Sequence, residues 1–169
     1  MTFAPDAKLF PDFNEGLRRA MRDETRLFLE AIVKEDRSLL DLLSADFTFV
    51  NEPLAKFYGG AIEQKFRQRD SQSEWFRVEG LRSIGRGGLF GMPVILAKNS
   101  AGQRTSPVKR GFWVVHHLLG QHFPPPPADV PELPKTEKEA SKTIRELLAE
   151  HTTHRQCAMC HVHFDGLGL

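Results

Sequence analysis

Asn14-Glu-Gly-Leu-Arg-Arg-Ala-Met-Arg-Asp-Glu-Thr-Arg-Leu-Phe-Leu-Glu-Ala-Ile-Val-Lys34 is the stretch that decides the fold class. Leu17, Ala20, Met21, Leu27, Phe28, Ala31 and Ile32 recur at helical intervals. Arg18, Arg19, Arg22, Asp23, Arg26 and Glu30 take the opposite side. This is the pattern of an amphipathic helix with one apolar stripe. Asn14 suits the N-cap, and Glu15 puts a carboxylate at the positive end of the helix dipole. The spacing predicts a helix over 14–35. Met21 lies in the stripe and reads as core filler, not as a metal ligand.

Outward from this helix the apolar segments are short. Leu9, Phe10 and Phe13 around Pro11 read as an extended lead-in that docks on it. Ser38–Ser44 predicts a short helix packed antiparallel on the first, and Asp46–Val50 an extended segment. Asn51 caps a further helix, with Pro53 in its first turn and Gly59-Gly60 at its end. Residues 61–73 are polar and are expected to form a surface loop. Trp75–Glu79 reads as a strand and Gly85–Gly88 as a turn. The glycines there lack the Gly-x-x-x-x-Gly-Lys-Ser/Thr pattern of a phosphate loop. The apolar run Gly88–Ala97 reads as a buried helix, kinked or started near Pro93.

Ser106-Pro107 is a cap followed by proline at the first helical position. Val108, Phe112, Val115 and Leu119 give that helix its stripe, and Gly120 closes it. Phe123-Pro-Pro-Pro-Pro127 predicts polyproline II, extended by Pro131 and Pro134 into a stiff strap. Such a run can also serve as an SH3-type ligand, but its apolar flanks Phe123, Val130 and Leu133 favour a strap lying on the body. Thr136-Glu-Lys-Glu139 has the form of a capping box opening a last helix, which carries Ala140, Ile144, Leu147 and Leu148 to about His151. The expected fold is mainly α, with five or six helices, little strand and a Pro-rich strap.

The 169 residues are 40% hydrophobic and 27% charged, as in ordinary globular chains. Lys and Arg number 23 against 22 Asp and Glu, a net charge of +1. That balance argues against charge-driven binding to nucleic acid or a membrane surface. No apolar run is long enough to predict a membrane span. Met1–Phe10 lacks a basic segment followed by an apolar one, so a secretory signal is not expected there.

The chemistry concentrates in the tail. Both cysteines and four of the seven histidines fall within 151–163. Cys157-Ala-Met-Cys160-His161 is a C-x-x-C-H, the pattern of covalent c-type haem attachment. Two residues between the thiols let both reach the porphyrin edge, and the next histidine supplies an axial nitrogen. Two rivals use the same residues. His151, His154, Cys157, Cys160, His161 and His163 offer enough donors for zinc, and the thiol pair could act as a redox dithiol. Under the haem reading, Met92, His116, His117, His151 and His163 are candidate sixth ligands, with His163 too near His161 to cross the ring; a ligand from sequence C-terminal to this stretch, or an open site, is an equal expectation, and of the adjacent pair His116 and His117 one reads as a surface or groove residue. His154 or Asp165 could hydrogen-bond the far nitrogen of His161 or a propionate. No serine elbow or H-E-x-x-H occurs, and Asp46, Glu52 and Asp70 are ordinary carboxylates, so an electron carrier or binding domain is expected over a hydrolase.

One family pattern strings these segments together. It runs through Leu9-Phe-Pro-Asp-Phe13, Arg22-Asp-Glu-Thr25 and Leu42-Leu-Ser-Ala-Asp-Phe-Thr-Phe-Val-Asn-Glu-Pro-Leu-Ala-Lys-Phe-Tyr-Gly59. Arg86-Gly-Gly-Leu-Phe-Gly91 and Ser106-Pro-Val-Lys-Arg-Gly-Phe-Trp-Val-Val115 follow, then the prolines and His154–Gly168. Together they resemble the C-terminal half of the large planctomycete-type multi-domain cytochrome c proteins. The resemblance implies that Cys157, Cys160 and His161 hold haem c. It implies an exported, periplasmic parent, with a redox partner and further domains of the parent chain as its partners. It also implies that this sequence is a fragment: 1–73 the end of one domain of unknown function, 74–134 a second with the Pro-rich strap, and 135–169 the truncated start of a haem-motif domain. The alternative expectation is a haem-free helical scaffold or interaction module, with zinc at the Cys/His cluster.

Overall fold

The computed structural model describes residues 5–125 and 142–168. The protein is mainly α, as expected: eight α-helices and one two-stranded sheet occur among the described residues. The chain divides into two compact units, Phe10–Leu96 and Met1–Leu9 with Ala97–Leu169.

In the first unit, α1 (Glu15–Lys34) starts on the Asn14 side chain, which accepts the Leu17 amide. It buries Leu17, Ala20, Met21, Phe28, Ala31 and Ile32. The short α2 (Asp41–Ser44) leads to β1 (Phe47–Val50), which pairs antiparallel with β2 (Phe76–Glu79) so that Phe47 faces Glu79 and Val50 faces Phe76. Between the strands lies α3 (Glu52–Tyr58), capped by Asn51 and closed by Gly59 at φ 63°. Leu17, Met21, Val50, Leu54, Ile62, Phe66 and Val78 share one apolar cluster. Phe28, Ile32, Phe47 and Met92 share a second, in which the Phe28 and Phe47 ring centres are 5.3 Å apart.

Two expectations need correction here. Residues 61–73 are not all loop: Gly60–Arg67 is a helix, α4. Its interior is polar except at Ile62 and Phe66, which are four apart and both buried, and Glu63 pairs with Arg67 on the other face. The run Gly88–Ala97 does start its helix at Pro93, one of the two expected forms, but the helix covers only its second half and is not buried along its length. Leu89–Gly91 is a single 3-10 turn, Met92 is extended at φ −79° and ψ 138°, and α5 (Pro93–Lys98) begins after it. The cause is local: the ring of Pro93 pushes the preceding residue out of the helical region. Of α5 only Pro93 is buried.

In the second unit, Asp6 reaches Gly102 by a 2.8 Å backbone hydrogen bond. Ser106 caps α6 (Pro107–His117), as the Ser-Pro pair predicts. Thr143 and Glu146 form a reciprocal capping box that starts α7 (Ile144–His151). The helix expected to open at Thr136 and end the fold begins at Ile144, with Lys142 and Thr143 outside it, and is followed by one more. The box expected at Thr136, and the strap from Pro126 to Pro134, lie outside the described residues. The tail itself is helical: α8 spans Arg155–Gly168. Among the described residues no helix is long and apolar enough to cross a membrane.

Glycines set how closely α6 and α8 cross. A Cβ on Gly111 would lie 1.8 Å from the carbonyl oxygen of Phe164, and one on Gly168 would lie 1.9 Å from that of Pro107. Arg110 closes the same junction by donating from Nε and Nη2 to the Gly168 carbonyl at 2.9 and 2.6 Å. The helices run antiparallel at contact, since Pro107 meets Gly168 and Gly111 meets Phe164.

Candidate functional site

Helix geometry puts residues three and four apart on one face. In α8 this gathers Cys157, Cys160, His161 and Phe164 on one side, and all four line a cavity of about 430 Å³. The opposing wall comes from α6 through Val108, Phe112, Trp113 and His117, with Phe123 and His151 completing it. Apart from the imidazoles and thiols the lining is largely aliphatic and aromatic. Phe164 is its anchor: buried, with its ring centre 6.0 Å from Phe112, 5.8 Å from Phe123 and 4.9 Å from His161. Both cysteines are free thiols, half-buried on the wall.

His161 is held from behind. Its Nδ1 lies 2.9 and 3.0 Å from the two carboxylate oxygens of Asp165, one turn along the helix. A carboxylate only accepts, so Nδ1 carries a hydrogen, and the neutral tautomer this contact selects is the one with its lone pair on Nε2. Both side chains are mostly shielded, at 13% and 16% exposure. Of the two residues expected behind His161, Asp165 takes the position, whereas His154 is exposed.

The other sequence-predicted ligands scatter. The His151 ring meets His161 edge-on, centres 4.9 Å apart. Burial first, then the neighbouring His161, hold the His151 imidazole below its ordinary pKa, against the pull of Asp165. His117 stacks on Trp113 at 5.2 Å and places Nδ1 3.2 Å from the Trp113 carbonyl oxygen. His116 faces His122, Nδ1 to Nδ1 at 2.8 Å. His163 is exposed and packs on Phe123. Met92 sits in the core of the other unit, its sulfur 3.5 Å from the Thr25 hydroxyl. Among the described residues no three His, Cys, Asp or Glu side chains converge to hold a metal ion.

A buried acid in the first unit escaped the sequence reading. Glu24 is 0% exposed, and its Oε1 accepts the hydroxyls of Thr48 at 2.6 Å and Tyr58 at 2.7 Å. Its Oε2 is buried with no partner among the described residues. Burial chiefly pushes its pKa up to about 7, against the two hydroxyls and the charge of Arg86. The guanidinium of Arg86 lies 4.4 Å from the Tyr58 ring centre and donates to the Gly91 carbonyl. The signal was present: Glu24 falls seven residues after Leu17 and four before Phe28, on the apolar stripe.

Residues 86–169 match the family model PSCyt3, Protein of unknown function (DUF1588), and residues 1–59 match PSD4, Protein of unknown function (DUF1592). Both are domains characteristic of planctomycete-type multi-domain cytochrome c proteins. No curated protein and no solved structure matches the chain.

Proposed function

We propose, for a chain whose two ends are similar to domains of multi-domain cytochrome c proteins, that the α8 cavity is a c-type haem site with an electron-transfer role. One observation carries the reading: Cys157, Cys160 and His161 share one wall of a single, largely apolar cavity. The residues fit the group. Cys157 and Cys160 would hold it by thioether bonds, and His161 by an axial nitrogen whose tautomer Asp165 already selects. Phe112, Trp113 and Phe164 would cover its apolar faces and keep water away. When bound, the group supplies a one-electron couple.

Expression of the chain behind an export leader, together with haem-attachment machinery, tests this. The expected product keeps an absorbing haem after denaturation in acid and acetone, and Cys157→Ser with Cys160→Ser loses it. A colourless product with two titratable thiols would overturn the reading. Stoichiometric zinc in that product would point to the zinc-bound scaffold instead.

A further inference from the structure

Glu24 leaves the polar centre of the first unit one bond short. Its Oε1 takes two hydroxyls, from Thr48 at 2.6 Å and Tyr58 at 2.7 Å, while Oε2 is buried with no partner among the described residues. A buried carboxyl oxygen without a partner is costly, whether it is charged or carries the proton. Beside it lies a cavity of about 10 Å³, whose lining includes Glu24, Tyr58, Arg86, Gly87, Gly88 and Gly91. That is the order of space that one buried water needs.

The glycine turn after Arg86 supplies another part of the wall. Gly87 and Gly88 have φ of 154° and 59°, in the region that favours glycine. A Cβ on Gly87 would lie 2.7 Å from the Ala45 carbonyl oxygen, and one on Gly88 would run into the Leu43 carbonyl. Both glycines are thus pressed onto the backbone of 43–45, and what they offer the cavity is peptide groups alone. The Gly88 amide is spent on the Ala45 carbonyl at 3.1 Å. Arg86 gives Nη2 to the Gly91 carbonyl at 3.2 Å, one of the five N–H donors of a guanidinium.

Size and charge select the occupant. An organic ligand exceeds the space. A cation is opposed by the Arg86 guanidinium on the wall, and an anion by the Glu24 carboxyl. Water suits both groups: it accepts from the protonated acid or from Arg86, and it donates to the carboxylate or to a peptide carbonyl. We infer that this cavity is a binding site for one ordered water, bonded to Glu24 Oε2 on one side and to the Arg86–Gly88 turn on the other. The inference concerns the first unit alone and does not rest on the haem reading. It also gives a role to the Gly85–Gly88 turn, which lacks the phosphate-loop pattern: the turn carries the backbone wall of a buried polar network.

The test uses the full chain. A high-resolution crystal structure is expected to show one water within hydrogen-bond distance of Glu24 Oε2 and of the Arg86–Gly88 turn. In solution, the Gly87 and Gly88 amide protons are expected to cross-relax with a long-held water. Glu24→Gln should keep that water, because the amide nitrogen that replaces Oε2 still donates to it. Glu24→Met should lose it. A dry cavity with Oε2 turned directly onto Arg86 would overturn the assignment, and so would a water that persists in Glu24→Met. If Glu24→Met does not fold, the density beside residue 24 in the parent and in Glu24→Gln decides by itself.

Discussion

Tyr58 donates its phenolic hydroxyl to Glu24 over 2.7 Å, inside a core where the carboxyl has no exposed surface. Thr48 uses the same carboxyl oxygen, so the proton of the neutral acid belongs on Oε2. Burial also holds the Tyr58 hydroxyl far above its ordinary pKa, which keeps it a donor at any working pH.

This arrangement sets a pH dependence of known sign. Glu24 rises from 4.5 to about 7 on folding. A raised acid favours the folded state fully below its unfolded pKa, and that advantage is lost as pH climbs through the folded one. Stability should therefore fall between about pH 4.5 and pH 7. At 1.36 kcal/mol per pKa unit the loss is about 3 kcal/mol. Glu24→Gln keeps the oxygen that accepts both hydroxyls and removes the titration. Urea unfolding at pH 5 and pH 8 should show the parent losing stability between the two while the variant stays flat. Parallel curves for the two proteins would count against a buried, titrating Glu24.

Why Glu24 and α4 were hard to read is a matter of which force dominates locally. The α1 stripe was legible because its apolar period is long and its cap is strong, and the structure begins that helix one residue after Asn14. The Ser106-Pro107 and Asn51-x-Pro53 starts were legible for the same reason. Helix α4 has only Ile62 and Phe66 as anchors, so tertiary packing, not pattern, makes it a helix. The tail motif was legible as chemistry but not as shape. Its two thiols and His161 needed the helix Arg155–Gly168 to place them on one wall. Asp165 was readable as a partner of His161 because it lies one turn away.

The α6–α8 crossing predicts opposite outcomes for two glycines of the same unit. Gly111→Ala puts a methyl into the Phe164 backbone, a clash that no rotamer relieves. Overpacking of this kind costs roughly 1–3 kcal/mol or more. A methyl on Gly166 would meet nothing within 4 Å, so Gly166→Ala gains helix propensity, up to about 1 kcal/mol. Thermal unfolding should rank Gly166→Ala above the parent and Gly111→Ala well below it. Equal melting of the two variants would mean that the close crossing does not exist in solution.

The Thr143–Glu146 box predicts a smaller effect. Thr143 accepts the Glu146 amide at 3.3 Å, and Glu146 accepts the Thr143 amide at 2.7 Å. Both bonds hold the start of α7, which carries His151 to the cavity. Thr143→Ala should cost about 1 kcal/mol, and Thr143→Ser very little. Chemical denaturation measures both, and an undiminished Thr143→Ala would show that α7 does not depend on its cap.

Asp165 makes the last prediction, and it separates a chemical role from a packing one. As a carboxylate it takes the Nδ1 hydrogen of His161 and makes that imidazole a stronger donor at Nε2. Asparagine has nearly the same shape and can still accept that hydrogen through its amide oxygen, but it carries no charge. In the haem-loaded chain, Asp165→Asn should therefore leave folding and covalent attachment intact while raising the reduction potential, because the oxidised iron loses the electron density that favoured it. Asp165→Glu restores the charge and should bring the potential part of the way back down. A redox titration of the three proteins decides the matter. An unchanged or lowered potential in Asp165→Asn would reduce Asp165 to a residue that only holds the ring in place.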